Sequence, residues 1–350
     1  MSVKKITGRE FTLNVLNGIS MGVVVSLIPG ALLGQLMQAL AKIWPTFAHA
    51  VLDITTFNMS LLPAMAGFSV GYLFKMNMVQ MSSIAGAAMV GSGVIVKTQQ
   101  GFGLAGTGDV INVGVTIVFS VLLAWLTGNK FKNYTILLLP IIVIVIGGSL
   151  GLLVLPYVKA MTALIGAGIK TFTLLQPILM GVLMGSAFAV LICSPISSVG
   201  IAAAIGITGI ASGSANLGIT AGAFTLAIMG SSVNSLGTVI AHFFGTPKIQ
   251  MGNMLEKPIL YLPVVISSAI MGGLGAVFDI QGTPMSAGFG FSGLVGPLTA
   301  YGFMAPGWLS ILSLSCLFVV LPVLLGYLMK YIFIDKRKLI SATDLLLKTD

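Results

Sequence analysis

The spacing Gly-x-Gly-x-x-Gly occurs twice in this chain, as Gly101-Phe102-Gly103-Leu104-Ala105-Gly106 and as Gly288-Phe289-Gly290-Phe291-Ser292-Gly293. Such a turn cradles a dinucleotide when a strand precedes it, a helix follows, and a carboxylate about 20 residues on holds a ribose. No Asp or Glu lies near Leu122 to Leu126, and none follows the second copy out to Met329. Nucleotide binding is rejected on that ground, and no cofactor or metal is expected.

Glycine backbone can do other chemistry. It accepts sharp turns and lets another group come close. Inside a membrane, non-helical backbone must be buried in protein or line a polar cavity. Polar residues flank both copies. The reading assigns solute contacts to Gln99, Gln100, Gly101, Gly103, Asp109 and Asn112 around the first copy. Around the second it assigns them to Asp279, Gln281, Thr283, Gly288 and Gly290. The competing reading for each glycine is close helix packing through small residues.

A third polar group is Ser231, Ser235, Thr238 and His242, spaced i, i+4, i+7, i+11 with Asn234 beside them. On a continuous helix the four share one face, which lines a cavity or meets another helix. His242 is the group there able to shuttle a proton near neutral pH. Pro195 in Cys193–Ser198 and Pro29 before Gly30 each break a span and free a carbonyl, which nearby serines can satisfy. HExxH, GKS/T, GxSxG and clustered His/Cys patterns are missing from the sequence, so a freestanding hydrolase, ATPase or metalloenzyme is not supported.

The elements that must hold these groups are membrane helices. Hydrophobic residues make up 57% of the 350 and charged ones only 7%, against about a quarter charged in soluble domains. Nine apolar spans are read at 12–28, 57–74, 78–96, 110–126, 134–155, 174–192, 217–244, 259–278 and 308–329. The net charge of +9 sits at helix ends, the positive-inside pattern, and does not form a basic face for nucleic acid. Lys4, Lys5 and Arg9, then Lys130 and Lys132, then the cluster around Lys336 mark cytoplasmic ends. Placing both termini in the cytoplasm requires an even count, about ten, with the missing crossing or a re-entrant hairpin at 195–211 or 291–304. Cys193 and Cys316 read as small apolar core residues.

Self-comparison suggests a duplication. Leu16–Gly22 matches Leu179–Gly185, and in each half a Ser-Ser pair precedes the Gly motif, which an apolar helix with a Trp follows. The expected fold is all-α and polytopic, with two re-entrant Gly-rich hairpins in an inverted repeat. Its expected parts are a first repeat at 1–157, an interfacial linker helix at 158–173, a second repeat at 174–332 and a cytoplasmic tail at 333–350.

Three features together resemble the membrane-embedded EIIC component of bacterial sugar phosphotransferase systems: the two Gly motifs, the run Leu179–Ser197, and Ile280–Phe291. The branch suggested is the stand-alone one that includes the perfringolysin regulatory protein. The resemblance implies a homodimeric permease in the cytoplasmic membrane. It would carry a sugar-like solute and present it to a separate IIB protein, which supplies the phosphoryl group. Glucose-type relatives carry Gly-Ile-Thr-Glu-Pro, whose Glu contacts sugar hydroxyls. The nearest run here, Gly282-Thr283-Pro284, lacks that Glu, so only the site's location at Thr283 carries over. Rival readings are an ion- or proton-coupled secondary transporter, with Asp109, Asp279 and His242 as the residues to test, and a sensor that no longer transports.

Overall fold

A computed structural model describes residues 7–99, 101–128 and 130–347. The protein is an all-α polytopic membrane protein. Among the described residues, five helices are long and apolar enough to cross a membrane: α1 (Gly8–Gln38 of the helix Gly8–Leu40), α5 (Val110–Thr127), α6 (Thr135–Leu174), α12 (Pro258–Val277) and α15 (Trp308–Lys336). The pair α2 (Pro45–Ser60) and α3 (Leu62–Leu73) bends by 50° and can supply a sixth. The helix α9 (Gly209–Met229) has 21 residues, and shorter helices are α4 (Met78–Gly91), α7 (Pro177–Ile192), α8 (Ser198–Ile205), α10 (Leu236–Gly245), α11 (Met251–Glu256), α13 (Pro284–Phe289) and α14 (Val295–Gly302).

The chain forms two compact units, Met1–Leu27 with Leu52–Ala160, and Ile28–Val51 with Met161–Asp350. Small residues set the packing of the first. A Cβ on Gly18 or Gly22 of α1 would collide with the backbone of Val70 or Ala66 in α3, and one on Gly67 would meet Ala85 of α4 at 2.8 Å. Pro29 leaves the Val25 carbonyl without its helical donor, and Asn58 Nδ2 donates to it at 3.1 Å and to Ser26 O at 3.1 Å. Asn112 is fully buried and its Nδ2 donates to the carbonyls of Gly91 and Gly151, pinning α4, α5 and α6 together.

The second unit is built around α9, buried from Ala211 through Met229. Such an all-round-buried helix needs close neighbours rather than one apolar stripe. Gly218 lets α7 approach at Gly185, and Gly222 lies against Val264 and Ser268 of α12. Ser268 Oγ closes that crossing by donating to Gly218 O at 2.7 Å.

Several expectations change. The segment 217–244 is not one helix: α9 ends at Met229 and α10 begins at Leu236. Ser231, Ser235, Thr238 and His242 therefore do not share one helical face. The physical cause is local capping. Asn234 Nδ2 takes Gly230 O at 3.0 Å, and the Ser235 side chain caps the N-terminus of α10. The first Gly motif is not a buried re-entrant turn. It is strand β2 (Gly101–Leu104), antiparallel to β1 (Ile95–Thr98), with Lys97 paired to Phe102 and Phe102 76% exposed. A two-stranded ribbon with open edges cannot lie in hydrocarbon. The segment 158–173 continues α6 without interruption. Helices α8 and α14, eight residues each, are too short to cross a bilayer core of about 30 Å.

Candidate functional site

The second Gly motif sits in the interior of its unit. Two chain breaks meet there, Gly206–Gly209 after α8 and Asp279–Thr283 after α12. Gly209 and Gly282 form an isolated antiparallel bridge. Gly206 and Gly209 have φ of +66° and +59°, and Asp279 adopts +50°. Pro284 opens α13, and Thr283 caps it in a reciprocal box with Ser286. Ser212 Oγ of α9 donates to Thr283 O at 2.5 Å, and Ser198 Oγ of α8 donates to Gly288 O at 2.7 Å. The first bond ties the Asp279–Thr283 break to α9, and the second ties α8 to α13.

The glycines are contact points. A Cβ on Gly282 would lie 2.6 Å from both Ser212 Oγ and Ser286 Oγ, and one on Gly288 2.7 Å from Val199 N. Gly290 combines a φ of +62° with a Cβ position 2.8 Å from Ile219 Cβ. So Gly288 and Gly290 permit close approach to α8 and α9. Thr283 and Gln281 are half-buried, while Asp279 is exposed and accepts from Gln281 Nε2 at 3.4 Å.

The α10 residues reach the same region through aromatic packing: Phe244 meets Phe291 at 5.5 Å and Phe243 meets Phe224 at 4.5 Å, ring to ring. His242 is 1% exposed, with Nδ1 2.7 Å from Thr238 O and Nε2 without a partner. Asn234 is elsewhere engaged. Its Nδ2 donates to Leu345 O at 2.8 Å and its Oδ1 accepts from Leu347 N at 2.9 Å, holding the tail. Ser231 is exposed and donates to Ile228 O at 2.8 Å; Ser235 and Thr238 share a 3.0 Å hydroxyl contact.

The first-copy residues belong to the other unit. Gln99 is exposed at the hairpin turn, Gly101 and Gly103 lie on β2, and Gln100 falls outside the described residues. Asp109 caps α5 by accepting from Asn112 N at 3.0 Å. Asn112 serves the helix crossing described above.

The family model for the phosphotransferase system EIIC matches residues 13–347. This chain belongs to the EIIC family. No curated protein matches it. As an EIIC protein, it is a membrane component of phosphotransferase sugar transport, and the family in general works on a sugar with a IIB partner.

Two features of this EIIC were not singled out from sequence. Lys248 is 5% exposed, and its Nζ donates to Ser194 O and to Ile196 O at 2.9 Å, bracing the Pro195 break. Burial pushes its ammonium down to about 8, with Cys193 opposing the shift. The other is the polar row Ser212, Asn216 and Thr220 on α9. Its i, i+4, i+8 spacing was readable as one helical face.

Proposed function

We propose that this EIIC protein is a permease that moves a sugar or related small polar solute by alternating access. Its solute path runs along the seam between α9 and the segment Asp279–Gly296. The bridge between Gly209 and Gly282 carries this reading: two non-helical breaks meet inside a membrane unit, next to Ser212, Thr283 and Ser286. Membrane proteins keep such backbone where it is buried or lines a polar cavity, and transporters use broken helices to bind solutes near mid-membrane. His242 and Gln281 extend the polar lining in this reading. Asp279 lies at its exposed end.

The residues around β1–β2 act as a peripheral solute contact, the duplicated halves arise from one membrane unit, the protein works as a homodimer in the cytoplasmic membrane, and a separate IIB protein phosphorylates the solute.

Radiolabelled sugar uptake in cells with and without the general phosphotransferase proteins tests the coupling. Uptake that disappears with those proteins supports it. Unchanged uptake points to an ion- or proton-coupled transporter, and binding in proteoliposomes with no flux points to a sensor.

A further inference from the structure

Asn216 lies mid-way along α9 with no exposed surface, and neither its Oδ1 nor its Nδ2 has a hydrogen-bond partner. Its neighbours on the same face are engaged: Ser212 Oγ donates to Thr283 O, and Thr220 Oγ1 donates to Asn216 O at 2.9 Å. Burying an amide without a partner costs about 1–3 kcal/mol by protein mutational data. Unpaired groups of this kind call for an explanation such as strain or function. Asn112, the comparable buried amide of the other unit, places its Nδ2 on two carbonyls. Asn216 has both ends unpaired.

The surface facing Asn216 is the turn after α13. A Cβ on Gly296 would lie 2.8 Å from Asn216 Cγ and 2.5 Å from Gly290 O, so only glycine leaves room for the amide. The turn carries strain at one residue: Leu294, which has a side chain, adopts φ +60°, while Gly290 and Gly293 take +62° and +56° without steric cost. A non-glycine residue in that region costs roughly 1–2 kcal/mol. An unpaired amide thus faces this turn, and moving the turn off α9 opens the amide to a partner.

We infer that the Asn216 amide is the group that reads the solute, uncovered when the Gly290–Gly296 turn lifts from α9. This deepens the permease reading and rests on it. The amide offers one acceptor and one donor side by side. Adjacent hydroxyls of a neutral sugar or polyol, each donor and acceptor, match that pair. Neither end carries charge, so the ligand class is a neutral vicinal diol. This also assigns to an uncharged amide the hydroxyl recognition that Gly282-Thr283-Pro284 has no carboxylate to perform.

The test uses purified full-length protein in detergent, with thermal unfolding and equilibrium binding measured against glucose, N-acetylglucosamine, mannitol and inositol. At least one should stabilise the wild type. Asn216→Ala should lower its affinity about tenfold or more, the loss expected for hydrogen bonds worth some 1.4 kcal/mol. Without ligand, the variant should unfold no earlier than wild type. Asn216→Ser, a smaller donor and acceptor, should keep part of the affinity. Wild-type affinity in Asn216→Ala overturns the inference and leaves the permease reading standing. Early unfolding of both variants without ligand makes Asn216 a structural group and overturns it too. No stabilisation of wild type by any of the four sinks both the inference and the sugar reading.

Discussion

Gly209 and Gly282 exchange both backbone hydrogen bonds, each N–H donating to the other's carbonyl at 3.1 Å. The two glycines are unequal. Gly209 has φ +59° and open space around its missing Cβ, whereas a Cβ on Gly282 would lie 2.6 Å from both Ser212 Oγ and Ser286 Oγ. Gly209→Ala should therefore cost only left-handed strain, roughly 1–2 kcal/mol. Gly282→Ala should cost overpacking of about 1–3 kcal/mol, and Ser212→Ala should recover part of it by removing one hydroxyl. Unfolding temperatures of the single and double variants decide this. A Gly282→Ala loss that Ser212→Ala leaves untouched would show that the collision is elsewhere.

The two Gly motifs should respond differently to one added methyl. Gly103→Ala meets Thr98 Cγ2 at 3.2 Å and Val96 Cγ2 at 3.7 Å on an exposed strand, while Gly290→Ala meets Ile219 and must also adopt a φ of +62°. Gly103→Ala should stay within about 0.5 kcal/mol of wild type in stability, the usual range for surface changes. Gly290→Ala should be poorly folded or inactive. Equal sensitivity at both positions, read from detergent-extractable yield and uptake, would mean that the motifs play the same part.

What the sequence disclosed follows from the physics of each feature. Hydropathy located the long helices because lipid imposes one requirement on all of them, as in Val110–Thr127. The break at Gly230–Ser235 was illegible because a partner 111 residues away, Leu345, completes the hydrogen bonding of Asn234. The two Gly motifs share letters yet differ in structure, since Gly288 and Gly290 press on α8 and α9 whereas Gly101 meets nothing within 4 Å. Spacing alone carries no information about what lies opposite. The row Ser212, Asn216 and Thr220 was present in the pattern, but only burial shows that Asn216 lacks partners.

The tail should behave as a structural strap. Leu345 is fully buried in a cluster with Leu226, Met229 and Met254, and its carbonyl accepts from Asn234 and from Gln250 Nε2 at 2.9 Å. Asp344 pairs with Lys257, which is half exposed, so that bridge adds little. Leu345→Ala should cost about 2–4 kcal/mol through the cavity it leaves, and Asp344→Asn under about 1 kcal/mol. Trypsin should cut faster at Lys336–Lys338 in Leu345→Ala and in Asn234→Ala. Unchanged cleavage in both would mean that these contacts do not hold the tail.

Lys248 should leave its mark on stability at alkaline pH. Its folded pKa, about 8, lies below the ordinary 10.5 because burial disfavours the ammonium. Below about pH 8 the lysine is charged in both states, and the cost of burying the cation is fully present. Between the two values the unfolded chain holds the proton and the folded chain does not, so unfolding free energy rises with pH across that window. The gain is on the order of 3 kcal/mol, complete only above the unfolded pKa. Lys248→Met lacks this titration but leaves the Ser194 and Ile196 carbonyls without their donor, a penalty independent of pH. Subtracting the variant's stability from the wild type's at each pH removes the shared titration of other groups. The difference should climb from about pH 8 towards 10.5. A flat or falling difference would place the Lys248 ammonium in contact with water rather than against the Pro195 break.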